Sequence, residues 1–345
     1  MEYNQVLHTL TGAAGVSGAE QGAAEAASEL LRPYCSTVTI NNRGSVVGRR
    51  EGKGPLVLLE AHLDQIGFVV TEVAANGFVR FDACGGIDIR TLAGLEVVIH
   101  GTEDVYGIIE TLPPHLTDSD SRGKARPCRE LAIDTGLRTE HCRSIVHPGD
   151  RASFLPHPAP LLNRQVCAPA LDNRAGVAAL IRTAELVQEN EADLNLCFLF
   201  SVQEEVGGKG AATGMVRSLG GNPPALALAV DVSFAWTPGC RREECGELGK
   251  GPMIGYSPLL SAAVFQDLQK TAEEADIPFQ LEIMNGRTGT HADELAVALG
   301  GVTAGLVSIP LKYMHTPAEV IDCQDVENTA RLLYTYLVRK GGSLA

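Results

Sequence analysis

Four apolar runs in this chain lead into residue types that bind metal ions. "LVLLEAHLD" leads to His62 and Asp64, "LCFLFSVQEE" to Glu204 and Glu205, "LALAVD" to Asp231, and "GLVSIPLKYMH" to His315. Asp172, in "LDNRAG", stands where a helical pattern begins. Singly, each has an ordinary explanation: a structural histidine, a solvated acidic loop, a turn former, or a helix N-cap at Asp172. Together they do not, because histidines and carboxylates delivered to one edge of a sheet bury like charge unless a cation neutralises it.

Charge balance sharpens the reading. The carboxylates of Asp172, Glu205 and Asp231, with one hydroxide, nearly neutralise two divalent cations, leaving His62 and His315 as neutral imidazole ligands, one per cation. Asp172 is the natural bridge: it has two oxygens and a short side chain held at a helix start. On an extended segment, neighbouring side chains point to opposite sides, so one of Glu204 and Glu205 reaches a cation and the other the water that the cation acidifies. This reading makes Glu205 a ligand and Glu204 the general base that passes the proton to a leaving amine. Asp64 is expected to hydrogen-bond the far nitrogen of His62 and fix its tautomer.

These residues need a scaffold that ends several strands on one edge. Residues 17–34 carry a helical rhythm, and "STVTINNRGSVVGRR" and "GPLVLLEAH" read as strands, the second suited to a sheet covered on both faces. Residues 67–160 shift to short strand-like runs punctuated by Gly, Asn, Asp and Pro, with "PPHLTDSDSRGKARPCRE" as an exposed loop. From 161 onward, helical patterns such as "VAALIRTAELVQ", "LLSAAVFQDLQKTAEEA" and "QDVENTARLLYTYLVRK" alternate with apolar strands. That alternation indicates an α/β layer fold, discontinuous over 1–66 and 161–345, with a small all-β domain inserted over 67–160. In such sheets sites form at the carboxyl ends of strands, where the candidate ligands fall.

The chain has 345 residues, 45% hydrophobic and 20% charged, as expected of a compact globular protein. A formal net charge of -14 argues against nucleic acid or an anionic membrane surface as partner. With no apolar run of membrane length and no basic, apolar leader at the N-terminus, a cytoplasmic location is expected. The nine cysteines follow no framework spacing and fit reduced thiols; Cys240 and Cys245 are spaced more loosely than paired zinc ligands.

At this point the sequence resembles the M42 family of dinuclear metallo-aminopeptidases, related to glutamyl and tetrahedral aminopeptidases. The matching segments include "EAHLDQIGFVV", "CGGIDIRTLAGLEVVIHG", "ALDNRAGVAAL", "FSVQEEVGGKGA", "LGKGPMI" and "GLVSIPLKYMHTPAEVID", in family order. The resemblance implies a phosphorylase/hydrolase-like α/β domain with a PDZ-like β insertion. It also implies two divalent metal ions per subunit, zinc or cobalt with manganese as a further option, held by His62, Asp172, Glu205, Asp231 and His315. Peptides are the implied substrates, and homo-oligomers from dimer to dodecamer the implied assembly. Two positions depart from the family pattern: Gln65 replaces a Glu, and His291 in "GRTGTHADE" stands where an Asp is usual, which makes His291 a candidate contact for the substrate's amino terminus. The rival readings are a metal-dependent deacylase on the same scaffold, a glycosidase, and a non-catalytic assembly protein. A glycosidase needs two free carboxyls about a sugar bond, whereas these carboxylates are claimed by metal geometry.

Overall fold

The computed structural model of the chain describes residues 1–117 and 123–340. Residues 118–122, the middle of the stretch read as an exposed loop, lie outside it. The chain opens with α1 (Tyr3–Gly12) and α2 (Gln21–Leu31), then forms β1 (Thr37–Ile40), β2 (Val46–Arg50) and β3 (Val57–His62). Next come β4 (Gly67–Val73), β5 (Val79–Cys84), β6 (Glu96–His100), β7 (Asp104–Ile109), β8 (Ile133–Asp134), the short α3 (Thr139–Ile145) and β9 (Arg151–Phe154). The return leg runs β10 (Ala159–Pro160), β11 (Gln165–Ala168), α4 (Leu171–Glu189), β12 (Leu196–Ser201), α5 (Gly210–Ser218) and β13 (Leu226–Phe234). It ends with β14 (Met253–Tyr256), α6 (Ala262–Glu274), β15 (Gln280–Ile283), α7 (Ala292–Val297), β16 (Ala304–Leu311), β17 (Glu319–Asp322) and α8 (Cys323–Lys340).

Eight strands form one mixed sheet in the order β1-β2-β12-β3-β13-β16-β14-β15, whose central four, β12, β3, β13 and β16, are parallel. Period-two alternation sorts their side chains. Leu59 and Ala61, Phe198 and Phe200, Leu228 and Val230, and Val307 and Ile309 join one apolar layer with α1, α2, α4, α6 and α8. Leu58, Leu199, Ala229 and Leu306 face the other way, onto α5 and α7. Each fully buried Leu or Phe contributes about 1.5–3 kcal/mol, so both layers drive folding. Toward the carboxyl ends this second face changes character: the same alternation brings out Glu60 and His62, Ser201, Asp231 and Ser308. The short α5 and α7, nine and six residues long, leave that end of the face open for a site.

The strands β4-β5-β8-β7-β6-β9 close into a barrel. Its interior is filled by alternating residues, with Phe68 edge-on to Phe81 and Phe154 at centroid distances of 4.9 Å and 5.6 Å. The barrel touches the large sheet's open end through Gly86, where a Cβ would come within 2.9 Å of His315 Nδ1. β10, read with the inserted segment, instead pairs with β11, Ala159 and Pro160 facing Cys167 and Val166, and β11 pairs in turn with β17 to make a three-stranded sheet.

The helix read over 17–34 starts at Gln21: Ser17 is committed to Asp64, and Gly18 takes a left-handed φ of +82°. α1, α5 and α7 were not legible as helices, being short and carried by packing rather than by a long periodic pattern. Among the described residues no helix is long and apolar enough to cross a membrane. All nine cysteines are free thiols.

Candidate metal centre

His62 is the last residue of β3, and its Nε2 lies 3.1 Å from Asp172 Oδ1 and 3.6 Å from Asp231 Oδ1. His315, in a left-handed turn four residues past β16, points its Nε2 at Asp172 Oδ2 at 3.4 Å and at Glu205 Oε2 at 3.1 Å. Asp172 therefore faces two separate imidazoles, one with each oxygen. Ligand atoms of His62, Asp172 and Glu205 fall within 4.8 Å of one another. All five expected ligands, with Glu204, line a cavity of about 230 Å³. Cys240 and Cys245 do not line it.

Local structure explains why Asp172 is free to do this. It does not cap α4: its own backbone is extended, at φ -78° and ψ 105°, and the cap comes from Asn173, whose Oδ1 accepts from Gly176 N at 3.0 Å. Asn173 is itself fixed by donating to Val230 O at 2.8 Å, next to Asp231. Asp231 lies inside β13 rather than at its end, the strand continuing to Phe234.

The Glu204–Glu205 segment is a turn, not the extended stretch expected, closed by Gly207 N donating to Glu204 O at 2.8 Å. Asp64 organises it. The Glu204 and Glu205 amides donate to the two Asp64 oxygens at 2.9 Å and 3.1 Å, and Ser17 Oγ donates to Oδ2 at 2.6 Å. His62 Nδ1 lies nearer the Asp64 carbonyl, at 3.1 Å, than its carboxylate, at 3.5 Å, so the tautomer contact goes chiefly to backbone. Asp64 is thus more a template for the acidic turn than a partner of His62.

Glu319 was missed by sequence reasoning. Its buried carboxylate accepts from Asp172 N at 3.0 Å and His315 N at 2.8 Å, fixing the backbone under two candidate ligands. An acid in "TPAEVID" carries no spacing signal for such a role.

His291, a candidate substrate contact, is not among the residues that line the cavity. It is buried at 3% exposure, its Nδ1 2.9 Å from Glu60 Oε1 and 2.8 Å from Ser201 Oγ, with its ring edge-on to His62 at 6.2 Å. An ion pair with Glu60, behind His62, accounts for a histidine at this depth. Gln65 is buried as well and joins the bridge to Val16.

The electrostatics follow from this crowding. Burial disfavours a charged His62, yet the carboxylates of Asp172 and Asp231 raise it well above the usual imidazole value. Hydrogen bonds to Asp172 and Glu205 raise His315 to about 11. Burial raises Glu204 to about 7, and burial with the nearby Asp172 charge does the same for Glu205. Burial also raises Asp231, and burial with the Asp172 charge lifts Glu319 far above the carboxylate range. Asp172 goes the other way, to about 2, because both imidazoles outweigh its burial. Burial pulls His291 down, but Glu60 more than offsets this and holds it at about 9.

Four nitrogen- and oxygen-donor residues around one doubly facing carboxylate suit borderline divalent cations. The sequence model described as M42 glutamyl aminopeptidase matches residues 44–332. The chain belongs to the M42 family. A lysyl aminopeptidase of Pyrococcus furiosus is 31% identical over 92% of this chain and 92% of its own length. The TET aminopeptidase of a marine sediment archaeon of the Thaumarchaeota has the same fold, with a TM-score of 0.90 at 28% identity over 97% of this chain and 95% of that one. The Pyrococcus horikoshii TET1 peptidase, described as able to assemble into a tetrahedron or a large octahedral shell, aligns at TM-score 0.82 and 28% identity over 96% and 98%. As an M42 member the chain is a hydrolase acting at peptide N-termini, with residues grouped to hold metal.

Proposed function

We propose that this M42 aminopeptidase works with two divalent cations, zinc or cobalt with manganese as a third option, at the carboxyl ends of β3, β12, β13 and β16. The observation that carries this is Asp172, whose two oxygens face the imidazoles of His62 and His315 separately. His62, Asp231 and Asp172 would hold one cation, and His315, Glu205 and Asp172 the other. When bound, such ions bring the pKa of water toward neutrality and polarise a carbonyl.

The chain's own residues do the rest. Glu204 is half-buried in the cavity wall, with its carboxylate raised to about 7 by burial. It takes the proton of the attacking water and delivers it to the departing amine. Asp64 holds the Glu204 and Glu205 amides, and Glu319 those of Asp172 and His315, so both halves of the donor set are fixed before substrate arrives. The barrel strands over 67–154 form an inserted domain, and Gly86, which follows β5, approaches the ring of His315. The subunits assemble into homo-oligomers, as the TET relatives do, and nine free thiols suit a reducing cytoplasm.

The test is cleavage of aminoacyl p-nitroanilides by protein stripped with chelator and then restored with zinc or cobalt, beside the same amides N-acetylated. Metal-dependent cleavage confined to free amines is expected. Cleavage of only the acetylated series makes the enzyme a deacylase, and cleavage that survives verified metal removal sinks the metal reading.

A further inference from the structure

The stretch "CGGIDIR" supplies neither a metal ligand nor a base. It leaves the barrel after β5 and returns to it: Cys84 pairs with Gly67 in the β4–β5 ladder, and Leu92 is wholly buried in the barrel's interior. Between these anchors Gly85 takes a left-handed φ of +90°, and Ile87 N donates to Gly85 O at 3.1 Å, which closes a tight three-residue turn. The position of this turn is therefore set by the barrel.

Its two glycines lie against the two residues that would serve one cation and not the other. A Cβ on Gly86 would come within 2.9 Å of His315 Nδ1 and 3.2 Å of its Cε1, and one on Gly85 would sit 2.7 Å from Ile66 Cγ2 and 3.4 Å from Glu205 O. Nδ1 is the nitrogen of His315 turned away from Asp172 and Glu205, which face Nε2. The two histidines are thus backed differently. His62 Nδ1 meets the Asp64 carbonyl at 3.1 Å, a contact from the end of its own strand. Among the described residues no hydrogen-bond partner meets His315 Nδ1, and the backbone of Gly86, from the barrel, lies there instead. A ring backed by close packing keeps its aim only while that packing stays in place.

We propose that Gly86 is a positioning residue for His315, and that through it the barrel sets the affinity of one half of the metal centre, the cation of His315, Glu205 and Asp172. This rests on the two-cation reading. Gly86 takes no left-handed φ, so alanine fits its backbone, and the clash falls on the far end of a side chain: the ring gives way and the fold does not. The test measures both zinc affinities by competition with a chelating dye, and metal content by atomic emission, in wild type, Gly86→Ala, His315→Ala and the double variant. Gly86→Ala should weaken one binding step about 10- to 100-fold and leave the other within about 2-fold. On the His315→Ala background it should change the remaining step by less than about 2-fold, because its effect passes through the ring. Gly12→Ala, where an added Cβ meets nothing within 4 Å, should alter neither step. Equal weakening of both steps by Gly86→Ala, no weakening of either, or a loss that persists without His315 overturns the assignment. Should Gly86→Ala not fold, hydrogen exchange of the wild type decides. By reciprocity the amides of residues 85–87 should slow with one zinc equivalent and not with the other, and exchange that ignores zinc, or answers equally to both equivalents, overturns it. A wild type that takes up fewer than two zinc ions instead fails the two-cation reading, and this inference with it.

Discussion

Inside the barrel, Phe68, Phe81 and Phe154 pack edge to face among Val97, Ile99 and Ile109, and its interior cluster is apolar throughout. At the open end of the large sheet, His62, Asp64, Asp172, Asp231 and Glu319 are just as well buried, but the material is charge. The barrel gains free energy from every side chain it hides. The sheet end loses it, because each buried carboxylate gives up hydration that its neighbours only partly restore. The contrast teaches where stability and function have been placed: the barrel can fold on hydrophobicity alone, whereas the sheet end is held in an unfavourable arrangement by the layers beneath it.

Substitutions should separate the two regions, and the largest effect belongs to the sheet end. Glu204→Gln should lower kcat by about 10²- to 10⁴-fold while circular dichroism and metal content stay at wild-type levels. Retained turnover would remove Glu204 from the reaction. The counterpart in the barrel is Phe68→Ala, which should cost about 3–5 kcal/mol in denaturant unfolding, the usual toll of emptying an aromatic core site. If it instead abolished activity in fully folded protein, the barrel would have a direct part in catalysis.

Metal removal probes the same contrast through pH. Glu204, Glu205, Asp231 and Glu319 have folded pKa values raised above their unfolded ones, so between about pH 4.5 and 7 the folded state holds more protons than the unfolded chain. The stability of metal-free protein must therefore fall as pH rises through that window. Zinc at about a thousand times its Kd should restore about 4 kcal/mol at pH 8. A melting temperature of the chelated protein that rises from pH 5 to pH 8 would contradict the assigned crowding.

Smaller effects should come from the residues that position the cluster. Glu319→Gln keeps the shape but offers one carbonyl oxygen to two amides, so metal affinity should drop about 10- to 100-fold in competition with a chelating dye. Ser201→Ala removes one of the contacts on His291 and should cost about 1 kcal/mol of stability, with kcat within a factor of about two. A larger fall in kcat would tie the Glu60–His291 pair behind His62 directly to the chemistry.

The donor set was legible because strand geometry makes it so: an apolar run that stops at His62 or shortly before His315 announces where the strand meets solvent. Asp64 and Glu319 were harder. Asp64 was read only through its neighbour His62, while its main contacts are amides about 140 residues away in sequence. Glu319 binds backbone, and backbone acceptors leave no trace in residue types. Asp172 was singled out at the helix start, but Asn173 does the capping there, a division of labour that depends on the local backbone angles.

The sequence by itself determined the α/β alternation, the inserted run of short strands, and the residue types able to bind metal, since each follows from local periodicity and from the cost of burying charge. Only the tertiary structure decided which carboxylate faces which imidazole and that His291 lies behind the site and not in it. These are relations between strands far apart in the chain, and register in a folded sheet, not spacing along a sequence, sets the distances between them.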